Sequence, residues 1–127
     1  MNIKVPIFVE SRYRVNRKRI KSTVINLLNK HSIMGSVEIS VAIIGDRKMR
    51  ELSKKYKGED KTRNILSFPQ TEGGFAKNSV NSLRLGDILI SYPEVIREAS
   101  KEEVLVDDKI DELVNHGLLH LLGIHHG

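Results

Sequence analysis

Residues 36–56 read SVEISVAIIGDRKMRELSKKY, and the hydrophobic period of this stretch changes partway along it. A β-strand over about 36–44 is predicted by apolar residues that alternate at Val37, Ile39, Val41 and Ile43. A short helix after a predicted N-cap at Asp46 is indicated by the spacing of Met49, Leu52 and Tyr56. A strand that leads directly into a helix is typical of an α/β layer fold.

The sequence on both sides of this stretch continues the alternation of strands and helices. The patterns predict an edge strand over 2–9 that contains Pro6, a helix over about 14–29, strands over 65–68 and 85–91, a helix from Pro93 to about Lys101, and a last amphipathic helix that Gly123 ends. Residues 70–83 are rich in glycine and small polar side chains, which predicts a long mobile loop. We therefore predict a single α/β domain over residues 1–127.

The composition excludes several classes of protein. The 127 residues are 39% hydrophobic and 29% charged, which suits one folded domain of ordinary size. No apolar run approaches the roughly 18 residues of a membrane span, and the N-terminus lacks the pattern of a signal peptide, so we predict a cytoplasmic protein. The absence of cysteine excludes disulfides, thiol catalysis and thiolate metal sites.

The charge is distributed unevenly along the chain. Residues 1–63 contain 16 Lys and Arg against 6 Asp and Glu, whereas residues 64–127 contain 5 against 10. The densest basic run consists of Arg12, Arg14, Arg17, Lys18, Arg19 and Lys21. The apolar stripe of the following helix must face the core, so we expect these charges to point outward, where they can contact nucleic-acid phosphates and where replacement hardly affects folding. A solvated helix face without a ligand is the alternative interpretation.

Four of the five histidines lie near the end of the chain, in the segment NHGLLHLLGIHHG over 115–127. His116 and His120 are four residues apart, so on a helix they share one face and can bind a single cation. The turn after Gly123 can bring His126 round as a third ligand and leave a fourth position open, which is the pattern of a catalytic metal site. His125 is the alternative third ligand, and the isolated His31 is interpreted as a surface residue.

The spacing of the histidine pair also occurs in the zincin proteases, whose helix carries His-Glu-x-x-His. Here the residue after His116 is Gly117, so the glutamate that serves as the general base of those enzymes is missing. The motif therefore argues against a peptidase.

Three separated blocks of the sequence resemble one known family. They are KYKGEDKTRNILSFP at 55–69, LGDILIS at 85–91 and HGLLHLLGIHH at 116–126, and they resemble the YbeY family of metal-dependent endoribonucleases, which act in ribosomal RNA maturation and ribosome quality control. The resemblance implies a small α/β domain with a mixed four-stranded sheet. It also implies a zincin-like helix near the C-terminus and a zinc site formed by His116, His120 and His126.

The sequence departs from the family pattern at several positions. Lys57 stands where the family usually has an arginine that acts on the RNA phosphate, and a lysine cannot form the same bidentate contact, so the role can weaken or pass to Arg63 nearby. The family's usual Pro-Thr is replaced by Thr62-Arg63, and the usual aspartate before the last ligand is His125. The resemblance also implies an acidic helix after Gly127, where this sequence stops.

We therefore predict a hydrolytic endoribonuclease that cuts single-stranded RNA in ribosomal RNA maturation and ribosome quality control. It would hold one Zn²⁺ per chain, or another divalent metal, and use Lys57 and Arg63 as catalytic residues. Its expected partner is ribosomal RNA or the small ribosomal subunit. The alternatives are a zincin-like metallopeptidase and a non-catalytic ribosome-assembly factor that binds RNA without cutting it.

Overall fold

The computed structural model describes residues 2–10, 12–33, 35–70 and 83–124. Within these ranges the elements are β1 (Ile3–Lys4), β2 (Ile7–Val9), α1 (Arg17–Lys30), β3 (Val37–Ile44), α2 (Asp46–Lys57), β4 (Ile65–Pro69), β5 (Leu83–Ser91), α3 (Tyr92–Glu102) and α4 (Val106–Leu121). Most of the predicted loop, residues 71–82, lies outside the described residues. No helix in the described ranges is both long enough and apolar enough to cross a membrane.

The strands form one mixed sheet, as predicted. β1 and β2 both pair with β3 in parallel, β3 pairs with β5 in parallel, and β4 pairs with β5 in the antiparallel direction. The predicted strand over 2–9 forms two short segments, because Pro6 between them has no N–H to donate, although its carbonyl oxygen still accepts from the Val41 N–H at 3.0 Å. The described sheet therefore has four strand positions but five strand segments, instead of the four continuous strands expected.

Both faces of the sheet are covered by helices. The main core lies between the sheet and helices α1, α3 and α4, and its fully buried side chains include Ile20, Leu28, Ile39, Ile43, Ile88, Ile90, Ile110 and Leu118. Because side chains alternate along β3, its Ile44 faces the other side of the sheet. There α2 contributes Met49 to a smaller buried cluster that also includes Leu66. The predicted α/β class is confirmed.

The beginning of α2 differs from the prediction by one residue. Gly45 is the N-cap and Asp46 is the first helical residue. The Asp46 carboxylate accepts hydrogen bonds from Thr62 at 3.1 Å, Ser91 at 2.9 Å and Arg97 at 2.7 Å. Burial by itself raises the pKa of Asp46, but the hydrogen bonds from Arg97, Ser91 and Thr62 outweigh it and the net pKa is lowered. Asp46 thus links α2 to α3, to the end of β5 and to the turn before β4.

The basic run at the beginning of α1 is only partly solvated, which corrects the prediction that all its charges point outward without a role in folding. Arg19 donates to Asp108 at 2.5 Å and to Asp111 at 2.7 Å, and both carboxylates belong to α4. Arg17 donates to the carbonyl oxygen of Ile7 at 2.7 Å. Arg19 has these acidic partners because α1 packs beside α4, whose first turns are acidic. We therefore expect replacement of Arg19 to weaken the α1–α4 contact.

Lys109 is a buried lysine in α4 whose replacement should lower stability. Its side chain is 5% exposed, and its ammonium lies 3.0 Å from both Glu102 and Glu112 and 3.5 Å from Glu98. Burial by itself lowers the pKa of Lys109, but hydrogen bonds to Glu102 and Glu112 outweigh it and raise the pKa above its ordinary value of 10.5. The ion pairs therefore contribute their full stabilisation at pH values below the pKa of Lys109 in the unfolded chain. This stabilisation is lost only as the pH rises through the higher pKa of Lys109 in the folded chain.

We expect Lys109→Met to lower the free energy of unfolding by about 1–2 kcal/mol, because the three carboxylates then repel one another without a cation between them. The magnitude stays moderate because Glu102 and Glu112 are partly exposed and can be rehydrated. Urea unfolding is the measurement, and the loss should be constant between about pH 6 and 9. Lys101→Met, at an exposed position on α3, is the control, and an equal loss there would contradict the assignment.

Candidate active site

A cleft of 430 Å³ opens between β4, α4 and the C-terminal end of α2. Its polar lining consists of Lys57, Arg63, Asn64, Ser67, His116 and His120. The two cations and the two histidines selected from the sequence therefore lie at one cleft, although they belong to three separate parts of the chain.

Helix α4 presents His116 and His120 one turn apart. The helix is held in the core by buried residues on its other faces, namely Ile110, Leu113, Val114, Leu118 and Leu121. This burial determines the rotation of the helix, so the exposed His116 and the half-buried His120 both face the cleft. The local spacing and the packing thus favour the same arrangement.

Gly117 lets α4 approach the sheet closely. A Cβ atom at this position would lie 3.0 Å from Cδ1 of Ile65 and 3.1 Å from Cγ2 of Ile88. Position 117 therefore faces the sheet, and any side chain there, such as the glutamate of the zincin proteases, would require Ile65 and Ile88 to shift. The packing gives a physical reason, beyond the motif, against a peptidase of that class.

Ser67 in β4 is hydrogen-bonded through Oγ to Nδ1 of His120. A histidine that binds a metal through one ring nitrogen usually has its other nitrogen held by such a partner. Sequence reasoning did not select Ser67, because only its place in the LSFP block marked it. The contact depends on the pairing of β4 with the sheet under α4, which no local pattern reveals.

Lys57 and Arg63 reach the cleft from the two ends of one turn. Lys57 is the last residue of α2, and Gly58 follows it in the left-handed conformation with a φ of 69°. The Arg63 guanidinium lies 3.5 Å from the carboxylate of Glu59 within the same turn. The turn thus brings two cations beside the histidine pair, where they can neutralise an anionic substrate.

A second cavity of 400 Å³ adjoins the cleft and shares Asn64 and His116 with it. It extends along α4 to Glu112 and Asn115. The Asn64 amide donates to Glu98 at 3.2 Å, which holds its side chain at the junction of the two cavities. Together the cavities form a groove along α4, and Asn64 and Glu112 are lining residues that sequence reasoning missed.

The predicted third metal ligand cannot be placed in this site. His126 and the alternative, His125, lie outside the described residues. Among the residues that the structure does describe, no three His, Cys, Asp or Glu side chains form a metal-binding group. His31 is the half-buried C-cap residue of α1 and does not line the cleft.

Comparison with known proteins finds one family. A family model described as endoribonuclease YbeY matches residues 8–127. The protein named endoribonuclease YbeY of Syntrophus aciditrophicus is 40% identical over 89 residues, which cover 70% of this chain and 54% of that protein. The protein of the same name from a Sulfurihydrogenibium species is 32% identical over 112 residues, covering 88% of this chain and 70% of that protein.

The chain spans about half the length of the first of these curated relatives. A protein of Thermotoga maritima with a known solution structure has the same fold, with a TM-score of 0.61 at 24% identity. That match covers 97% of this chain and 75% of the Thermotoga chain.

Proposed function

The chain belongs to the endoribonuclease YbeY family, and on this basis we propose that it is a metal-dependent endoribonuclease that cuts single-stranded RNA. The observation that carries the proposal is the cleft itself, where His116 and His120 lie with Lys57 and Arg63. A phosphodiester is an anion that such cations bind, and paired imidazoles are the donors that a catalytic divalent metal uses.

The donor chemistry of the cleft fits a divalent metal. Two imidazoles stand on one helix face, and Ser67 orients the ring of one of them through the nitrogen Nδ1. His116 and His120 would hold the metal with His126 as third ligand, or His125 in its place, and imidazole ligation favours zinc. When bound, the metal supplies Lewis-acid chemistry that polarises a phosphate oxygen and makes the attacking water more acidic.

The chain's own residues bind and orient the RNA. Lys57, as a point charge, and Arg63, through its planar guanidinium, neutralise the charge that grows on the phosphate oxygens. Glu59 holds the guanidinium beside the turn, and Asn64 offers an amide at the junction of the two cavities. The groove along α4 gives a single strand room to continue past the reacting phosphate.

The proposal includes the biological setting that family membership suggests. Ribosomal RNA, free or in the small ribosomal subunit, is the proposed substrate, and the cytoplasm is the proposed compartment. We also propose that residues 1–127 act as one domain. Against the peptidase alternative stands Gly117, because the general-base glutamate is missing and a side chain at this position would crowd Ile65 and Ile88.

The first test is cleavage of labelled single-stranded RNA by the purified chain. We expect cleavage that a chelator removes and that added Zn²⁺ restores, with no cleavage of casein. A non-catalytic assembly factor would bind the RNA without shortening it. A peptidase would cut casein and leave the RNA intact, so either result would overturn the proposal.

Lys57→Ala should lower turnover more than affinity, because a cation beside the reacting phosphate acts mainly on the transition state. We expect kcat to fall by about 10–100-fold while the RNA dissociation constant changes less than about threefold. The measurement is single-turnover cleavage together with equilibrium binding. Lys54→Ala is the matched control, since Lys54 is exposed one turn earlier on α2 and does not line the cleft. Equal losses of binding and turnover would remove Lys57 from the catalytic residues.

A further inference from the structure

A separate cavity of 240 Å³ lies between α1 and the edge of the sheet formed by β1 and β2. Val5 and Ile7 form its apolar part, and Arg17, Lys18 and Lys21 form its charged part. No carboxylate lines it. The three cations come from neighbouring positions on one helix, where like charges repel unless an anion lies between them.

The neighbouring cation Arg19 differs from the cations of the cavity in its acidic partners. Arg19 is neutralised by Asp108 and Asp111 of α4. In the described part of the chain, neither Lys18 nor Lys21 forms an ion pair or a side-chain hydrogen bond. Arg17 donates one guanidinium N–H to the Ile7 carbonyl oxygen, which fixes the side chain over the cavity and keeps its charge uncompensated. The cavity therefore has the electrostatic character of an anion site.

The size and lining of the cavity indicate which anion fits. Its volume is below the roughly 300 Å³ at which pockets for whole small molecules begin, so a fragment of a polymer backbone suits it better. None of its lining residues is aromatic, so it offers no surface on which a base can stack. Phosphate between the cations and a sugar against Val5 and Ile7 match both parts of the lining.

The cavity and the cleft lie at opposite edges of the sheet. β1 and β2 form one edge and β4 the other, with β3 and β5 between them. Three strand spacings separate the edges by about 14 Å. An RNA that fills only the cleft cannot reach the cavity, whereas a longer or folded RNA can contact both.

We propose that this basic edge cavity binds a backbone phosphate of RNA at a distance from the cutting site and so favours long or folded substrates. The inference rests on the proposed function only in taking RNA as the substrate. It assigns Lys18 and Lys21 to substrate binding and to no step of the chemistry.

The test compares wild type with Lys18→Gln/Lys21→Gln, which keeps Arg17 and its contact with Ile7. We expect binding of an RNA of about thirty nucleotides to weaken roughly tenfold, with the slope of log affinity against log salt smaller by about 1.4, or 0.7 per lost contact. Binding and cleavage of an RNA of about five nucleotides should not change. Lys48→Gln/Lys54→Gln removes the same charge from exposed positions on α2 and should leave both RNAs unaffected.

Three results would overturn the inference. They are an unchanged salt slope in the edge variant, equal losses in the α2 control, and equal losses for the short and the long RNA. Free inorganic phosphate is the other ligand with the same chemistry as a backbone phosphate. If about one millimolar phosphate displaced the long RNA, the occupant of the cavity would be free phosphate and not RNA. If no RNA is cut by wild type but the binding differences persist, the proposed endoribonuclease activity fails while the edge cavity stands.

Discussion

His120→Ala is expected to remove bound metal and RNA cleavage together, with kcat/KM falling at least about a thousandfold. His120 is one of two described imidazoles at the cleft, and alanine has no group at position 120 that can bind a metal, so His116 is the one described imidazole left. The measurements are metal content by elemental analysis and cleavage of labelled RNA under identical purification. His31→Ala replaces a half-buried histidine outside the cleft and should keep both metal and activity.

The partner of His120 gives a graded version of the same prediction. Ser67→Ala keeps both imidazoles but removes the hydroxyl that is bonded to Nδ1 of His120. We expect metal affinity to fall by about 10–100-fold and excess metal to restore most of the cleavage. Metal retained in His120→Ala would contradict the metal site, and RNA cleavage retained without metal would reveal a contaminating nuclease or a different mechanism.

Gly86→Ala is expected to lower the free energy of unfolding by about 3–5 kcal/mol, the largest stability change predicted for this chain. Gly86 has a φ of 145°, a conformation that L-amino acids with a side chain rarely adopt. An added Cβ atom would lie 2.3 Å from the carbonyl oxygen of Phe68 and 2.9 Å from Cδ2 of Leu121. The Phe68 oxygen belongs to the backbone of β4, which is paired with β5 and cannot move without breaking the ladder.

Gly35→Ala separates the two causes of this loss. Gly35 also has a positive φ, 87°, but no atom lies within 4 Å of an added Cβ. It should therefore cost only the strain, about 1–2 kcal/mol. The measurement is equilibrium unfolding in urea for both variants. Equal losses at the two glycines would show that backbone overlap at Gly86 is relieved without cost.

Local patterns were sufficient for the class of the fold and for the histidine pair. A period of two predicted β3 and a period near 3.6 predicted α1 and α4, because alternation and helical stripes depend only on neighbours in the chain. His116 and His120 share a face for the same reason. The N-cap was predicted one residue late because the Asp46 carboxylate does not cap the helix but accepts hydrogen bonds from Thr62, Ser91 and Arg97, which lie 16 to 51 residues away in the sequence.

Long-range packing produced what the local patterns left open. Ser67 reaches His120 only because β4 pairs with β5 beneath α4, and Asn64 is held at the groove by Glu98 of α3. Pro6 divides the predicted strand over 2–9 into two segments. This interruption is a local effect, because the missing N–H of proline can be read from the sequence.

The basic run of α1 shows most clearly where sequence and tertiary structure divide. The sequence alone determined that Lys18 and Arg19 are cations near the beginning of a helix whose apolar stripe faces the core. Only the position of α4 decided that Arg19 is neutralised by two carboxylates while Lys18, one residue earlier, borders an uncompensated cavity. The physical reason is that helical periodicity is a local property, whereas the sign of the charge opposite a side chain depends on which distant segment packs there.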